Sequence, residues 1–202
     1  MKRILFAATL LAATGATHAA GVGIRAGTLG LGADVAWSVA PTLSARLGYS
    51  RLDWNRDYST GSVRYDGDIK LSNFNALLDF SPLGPFRLTG GVILNNNRYE
   101  ANGVAAAGTV SGEVKASRRV APYLGVGYGN VSGAGINFYA DLGVMFMGSP
   151  RASLSATCAA GIGAGACAAF QGEVAEEQRR LEDRLKSFKY YPVLNVGLTI
   201  GF

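Results

Sequence analysis

Six charged residues in this sequence follow one pattern. Each has apolar residues on both sides of it, so in an extended strand its side chain lies on the face opposite to theirs. Three arginines and three aspartates can pair into a charge-neutral ladder that fills a confined space. On opposite walls of a narrow path, they can instead select small charged or zwitterionic solutes. The six residues are Arg25, Asp34, Arg46, Asp79, Arg87 and Asp141.

Residues for enzymatic chemistry are sparse. The single histidine, His18, lies in a predicted signal peptide, so we predict neither a histidine-dependent nucleophile nor a histidine metal site. The glycine-rich segment 125–129 does not open a helix and therefore does not fit a phosphate-binding loop. We predict that the protein is not an enzyme and that it has no cofactor.

Cys158 and Cys167 are the two cysteines, and they lie in a segment rich in Gly and Ala. Two nearby cysteines in a secreted chain typically form a disulfide. A metal site or a redox pair is the alternative, but neither a neighbouring histidine nor a Cys-x-x-Cys spacing supports it. We predict one disulfide that staples the tip of a loop.

The N-terminus has the pattern of a secretory signal peptide. A short basic start precedes an apolar run, residues 4–13, that is too short to span a membrane. Thr17 and Ala19 are small residues at the positions that a signal peptidase requires. We predict cleavage after Ala19 or Ala20, so that residues 1–20 are the signal peptide. A hydrophobic first helix of a cytosolic protein is the alternative.

The predicted mature chain, residues 21–202, contains eight stretches in which apolar residues alternate with small or polar ones. The clearest is Tyr190 to Phe202, and we interpret Phe202 as an assembly signal for a closing strand. The alternation slips at Thr28, which indicates a turn, giving eight strands, or a bulge, giving seven. The other stretches cover residues 22–26, 29–37, 43–49, 74–80, 86–94, 120–128 and 138–146.

The composition favours strands that cross a membrane. Hydrophobic residues make up 49% of the chain and charged residues 16%, yet no apolar run approaches the roughly 20 residues of a transmembrane helix. Short connections alternate with long ones, as in barrels with short periplasmic turns and long external loops. We predict an all-β fold, an eight-stranded antiparallel transmembrane β-barrel. A soluble secreted β-sandwich is the alternative.

In such a barrel the six charged side chains face the lumen, because a charge that faces lipid costs about 2–4 kcal/mol near the midplane. The lumen of an eight-stranded barrel is just wide enough for side chains to fill. The sequence therefore predicts a plugged or very narrow lumen.

Residues 149–189 are predicted to form a long external loop that contains no strand and carries a short helix over residues 173–186. Packing of this helix on neighbouring loops or on the barrel rim is the favoured interpretation, and a lid or a partner-binding element is the alternative. Residues 55–68 are predicted as a loop or as strand extensions above the membrane, and residues 95–108 as a loop. The apolar face of the helix is approximated by Val174, Leu181, Leu185 and Phe188.

Four motifs carry a family resemblance: GTLGLGADV (27–35), APYLGVGYGN (121–130), FYADLGVMFMGSP (138–150) and RLEDRLKSFKYYPVLNVGLTIGF (180–202). They resemble a group of small proteobacterial outer-membrane β-barrel proteins, the carbapenem-associated ornithine-uptake porin family. The resemblance implies an eight-stranded barrel and the uptake of small solutes, basic ones among them. It carries over no functional residue, and the cysteine-containing loop departs from the family pattern.

These observations predict a protein of a Gram-negative-type outer membrane that acts as a narrow channel or porin for the uptake of small solutes such as amino acids. The alternative function is a non-conducting structural or adhesive barrel whose external loops bind partners. The predicted partners are outer-membrane lipid and lipopolysaccharide, the barrel assembly machinery and small solutes. Nucleic acid is not a predicted partner, because the charges are dispersed along the chain.

The assembly role of Phe202 can be tested with Phe202→Ala. We expect less folded protein in the outer-membrane fraction, because the variant lacks the terminal aromatic side chain. Folded barrel is measured as the band that migrates faster in unboiled than in boiled detergent gels. Wild-type levels of that band would contradict the role, and recovery of wild-type protein in the soluble periplasmic fraction would contradict the barrel.

Overall fold

The computed structural model of the chain describes residues 19–60 and 63–202. Nearly all of the predicted signal peptide, residues 1–20, therefore lies outside the described residues. Within them, no helix is both long enough and apolar enough to cross a membrane.

The described residues form eleven strands and one helix. In chain order these elements are β1 (Ala20–Gly27), β2 (Gly30–Ala40), β3 (Leu43–Thr60), β4 (Val63–Leu83), β5 (Phe86–Asn95), β6 (Arg98–Ala105), β7 (Gly108–Lys115), β8 (Val120–Gly129), β9 (Gly135–Met145), β10 (Arg151–Cys158), α1 (Ala164–Leu185) and β11 (Tyr191–Gly201).

Eight of the strands close into a ring of antiparallel pairs. The ring runs β1–β2–β3–β4–β5–β8–β9–β11 and returns from β11 to β1. The predicted eight-stranded barrel is thus confirmed, and its strands are those that the alternation indicated. The phase slip at Thr28 is a tight turn between β1 and β2, where Gly30 adopts a positive φ of 99°.

The outer surface of the barrel is apolar. On every barrel strand, the residues that alternate with the inward-facing ones point outward and are exposed. Among them are Ile24 at 66%, Phe138 at 72% and Ile200 at 60%. A soluble protein rarely leaves so continuous an apolar surface in water. Alternation of outward apolar with inward polar or small residues is typical of strands in lipid, so this surface is the one that spans the membrane.

The barrel has two unlike ends. At the turn end, the short β2–β3, β4–β5 and β8–β9 connections meet, and at the loop end lie the other connections. β3 and β4 continue beyond the loop end as a paired extension that reaches Thr60 and Val63. At that level β4 changes partner, since residues 73–83 pair with β5 but residues 64–70 pair with β6.

From β4 the sheet continues beyond the loop end through β6 and β7 to β10. We call the extensions of β3 and β4, together with β6, β7, β10 and α1, the outer unit. The prediction that residues 95–108 form a loop is wrong, as is the prediction that residues 149–189 contain no strand. The side chains of these strands are mostly small, so their alternation is weak in the sequence. Of the two interpretations of residues 55–68, strand extension is the correct one for residues 55–60 and 63–68.

Helix α1 begins earlier than predicted, at Ala164, and ends at Leu185. Its half-buried side chains include Val174 and Leu181, and the helix packs beside β10. Gln178 Oε1 accepts a hydrogen bond at 3.0 Å from the backbone N–H of Leu154 in β10. The helix therefore covers a strand that pairs on only one side, where an uncovered edge would be open to association.

The disulfide Cys158–Cys167 joins the end of β10 to the first turn of α1. Replacing both cysteines by serine should release the start of α1, because a bridge over a loop of this length constrains the chain by about 2–3 kcal/mol. We expect trypsin to cut faster at Arg179 and Arg180, while the barrel keeps its heat-modifiable gel migration.

Wild-type protein denatured without reductant is the control and should show no free thiol. Two titratable thiols in that sample, or equal cleavage of α1 in both proteins, would contradict the proposed constraint.

Candidate functional site

The six charged residues predicted to face the lumen do point inward, and all are buried. Their exposed fractions lie between 0% and 4%. Each comes from a different strand. Each points inward because side chains of a barrel strand face the lumen at every second residue. In chain order the contributing strands are β1 for Arg25, β2 for Asp34, β3 for Arg46, β4 for Asp79, β5 for Arg87 and β9 for Asp141.

Arg46 is the centre of the larger group. Its Nη1 donates to Asp141 Oδ2 at 2.7 Å, and its Nη2 donates to Asp79 Oδ1 at 3.1 Å. Arg87 also contacts both aspartates: its Nη2 donates to Asp141 Oδ1, and its Nε lies 3.6 Å from Asp79 Oδ1. Thr89 adds a hydroxyl hydrogen bond to Asp79 Oδ1 at 2.6 Å. Two arginines and two aspartates thus neutralise one another.

Arg25 and Asp34 form the smaller group. Arg25 Nη1 donates to Asp34 Oδ1 at 2.9 Å, and its Nη2 donates to Asn75 Oδ1. Tyr139 connects the two groups, since its hydroxyl donates to Asp34 Oδ2 while its ring centroid lies 5.2 Å from Arg46 Cζ. A cation above an aromatic face is attracted to it. We call these charged residues, with Asn75, Thr89 and Tyr139, the lumen network.

Inward-facing glycines leave the room that these large side chains occupy. A Cβ atom added to Gly127 would lie 2.5 Å from Asp141 Oδ1 and 2.6 Å from Arg87 Nη2. A Cβ atom on Gly48 would collide with Asp34, and one on Gly197 with the Tyr139 ring. The lumen network therefore packs directly against the backbone at these inward-facing glycines.

Two further groups of side chains close the lumen on either side of the network. Near the turn end, Val131 and Ser132 of the β8–β9 connection are buried, and Ser132 lies within hydrogen-bonding distance of Ser38 and Ser44. Towards the loop end is a buried apolar layer, which includes Leu29 from the β1–β2 turn. Its members are Leu29, Leu77, Ile93, Ala121, Tyr123, Met145 and Val193.

Sequence reasoning missed part of this arrangement. Tyr139 and Thr89 lie on the predicted inward face, so their position in the alternation could have identified them as lumen residues. The alternation over residues 29–37 places Leu29 on the outward face, but it is 1% exposed because it belongs to the turn and folds over the lumen. Val131 lies between the stretches 120–128 and 138–146, where no alternation marks it as buried.

The remaining predicted site residues lie outside the lumen. Cys158 and Cys167 are in the outer unit, with their Cα atoms 5.7 Å apart. Phe202 is 71% exposed, and its backbone N–H and C=O pair with Ala20 at 2.9 and 3.0 Å. Its role in assembly stays a prediction. In residues 19–60 and 63–202, no group of three or more potential metal ligands is assembled.

Comparison with known proteins shows similarity in structure. No protein-family model matches the sequence, and no curated protein matches it. The structure is similar to the crystal structure of Acinetobacter baumannii CarO2, with a TM-score of 0.62 and 20% identity over 91% of this chain and 98% of that one. The structure is also similar to the crystal structure of Acinetobacter baumannii CarO, with a TM-score of 0.58 and 20% identity over 90% of this chain and 97% of that one.

A major outer membrane protein from Thermus thermophilus matches with a TM-score of 0.42 and 18% identity, over 93% of this chain and 100% of that one. The two CarO structures confirm, at the level of the fold, the family resemblance carried by the sequence motifs. The chain has the fold of an outer-membrane β-barrel, in agreement with the predicted location.

Arg46→Gln should destabilise the barrel strongly, because it leaves Asp79 and Asp141 with less neutralising charge in a buried site. We expect a loss of about 3–5 kcal/mol in the free energy of unfolding, the range for breaking a buried ion pair. The measurement is urea-induced unfolding of protein folded into lipid vesicles.

Arg51→Gln is the matched control. Arg51 lies on the same strand and pairs with Asp53 at 2.7 Å, but its side chain is 65% exposed, so we expect little change in stability. Equal effects of the two substitutions would show that the lumen network does not support the barrel.

Proposed function

We propose that the protein is an outer-membrane barrel whose lumen is closed at rest and whose outer unit meets partners at the cell surface. The pairing of all six lumen charges with one another is the observation that carries this proposal. Every one of these charges has an opposite charge in contact, and none is more than 4% exposed.

Opening a path through this lumen requires side chains to separate. Arg46 and Arg87 both hold Asp79 and Asp141, so a solute that parts one pair must also part its neighbour. Removing one partner of a buried pair costs about 3–5 kcal/mol. The apolar layer and the buried Val131 would also have to move. These contacts favour the non-conducting function over a permanently open porin.

The outer unit supports the second half of the proposal. Its helix is tied to β10 by the disulfide and presents a charged face to solvent, with Arg180, Glu176 and Asp183 side chains between 63% and 69% exposed. A rigid, charged, exposed surface suits polar partners better than apolar ones. The apolar outer surface of the barrel suits outer-membrane lipid and lipopolysaccharide, and we propose the barrel assembly machinery as the partner for insertion.

A narrow channel for small solutes is the second candidate. It is favoured by the chemistry of the lumen network, which consists of charged and hydroxyl groups instead of aliphatic ones. Arginine and aspartate on facing walls create a transverse field that would select small zwitterions such as amino acids. This function requires the network to rearrange while solute passes.

Recordings in planar bilayers, with liposome swelling in amino acids, separate the two functions. For the closed barrel we expect no conductance and no swelling above empty liposomes, in wild type and in Asp141→Asn and Arg87→Gln. Asp53→Asn, on the outer surface, is the control, and gel migration verifies that each protein is folded.

A small wild-type conductance that changes with Asp141→Asn or Arg87→Gln, but not with Asp53→Asn, would reverse the order of the two candidates. Silence of folded wild type and variants alike would eliminate the channel.

A further inference from the structure

A cavity of about 290 Å³ lies where the outer unit meets the loop end of the barrel. This volume is at the small end of the range for ligand-binding sites. The cavity is walled mostly by apolar and aromatic side chains from three separate parts of the structure. They are Tyr99 and Val114 from β6 and β7, Leu185 and Phe188 from the end of α1 and the segment that follows it, and Met147 and Tyr191 from the barrel mouth.

The floor of this cavity is held in place by the barrel. Met147 and Tyr191 pack against the buried apolar layer that closes the lumen. The Tyr191 hydroxyl donates a hydrogen bond at 2.7 Å to the backbone carbonyl of Thr28 in the β1–β2 turn. The site is therefore preformed on a rigid element, which reduces the ordering that a ligand must impose.

One end of the cavity is polar. A neighbouring cavity of about 210 Å³ shares four lining residues with the first, including Asn95 and Lys115. Asn95 is 5% exposed, and its Oδ1 accepts a hydrogen bond from the Asn97 N–H at 2.9 Å. Its Nδ2 has no hydrogen-bond partner within the described part of the chain. The Nδ2 atom is itself buried, so it reaches a ligand in the polar cavity only when the Asn95 side chain turns towards it. A donor left without a partner favours a ligand that brings an acceptor.

Three cations line the polar cavity: Arg98, Lys115 and Arg119. Arg98 and Lys115 share the carboxylate of Glu113, with N–O distances of 2.8 and 2.7 Å. Arg119 forms no ion pair with any carboxylate whose side chain the structure describes. Arg98 also lies 3.6 Å from the carboxylate of Glu100. Arg119 is therefore the cation that gives the polar end its excess of positive charge, beside the unused amide donor of Asn95.

We propose that the two joined cavities bind a small amphiphilic carboxylate. Its apolar body lies between Tyr99, Leu185 and Phe188, and its carboxylate accepts hydrogen bonds from Asn95 and Arg119. An amine of the same shape would place its charge beside three cations and would leave Asn95 Nδ2 without an acceptor. The proposal does not rest on the proposed function, since none of the six lumen charges lines either cavity.

Binding of 3-phenylpropanoate and of its cationic isostere 3-phenylpropylamine tests the proposal. The mature protein is embedded in lipid nanodiscs, and the dissociation constant is measured by ligand-observed NMR against empty nanodiscs. We expect binding of the carboxylate and none of the amine. Arg119→Gln should raise the dissociation constant of the carboxylate about fivefold, the effect of removing one exposed charge. Phe188→Ala should also raise it.

Arg118→Gln is the matched control, because Arg118 is the adjacent exposed arginine and does not line either cavity. It should leave the dissociation constant within about twofold, because solvent screens an exposed charge that does not contact the ligand. Equal binding of amine and carboxylate, equal effects of Arg118→Gln and Arg119→Gln, or no binding of the carboxylate by folded wild type would each overturn the proposal.

Discussion

Pairing of arginine with aspartate across the lumen is the interaction on which the rest of the barrel depends. Strand pairing joins each strand only to its neighbours, whereas the lumen network joins six of the eight barrel strands across the interior. Equal numbers of opposite charges make the burial tolerable. A shift of one residue in any of these strands would turn its charge towards lipid, so the network also fixes the register of the barrel.

The same packing links the barrel interior to the outer unit. Glycines at inward positions give the lumen network its space, and the network in turn fills the middle of the barrel. The apolar layer above it supports Met147 and Tyr191, which form the floor of the cavity below α1. A closed lumen and a preformed site at the barrel mouth are therefore two results of one continuous core.

Alternation made the barrel predictable and left the outer unit unpredictable. A lipid-facing strand needs large apolar residues at every second position, so stretches such as 86–94 and 190–202 are unambiguous. β10 alternates Ala152, Leu154 and Ala156 with serine and threonine, which resembles a loop composition. The inward direction of the six charges followed from phase. The sequence does not predict which arginine pairs with which aspartate, because the pairing depends on barrel closure and strand stagger.

The two longest strands give the molecule an uninterrupted mechanical connection. β3 has 18 residues and β4 has 21, and 18 residues of strand span about 60 Å, roughly twice the hydrocarbon thickness of a membrane. Each of these strands belongs to both the barrel wall and the outer unit, without a hinge segment between them. A force that pulls on the outer unit would therefore act directly on the backbone of the barrel wall.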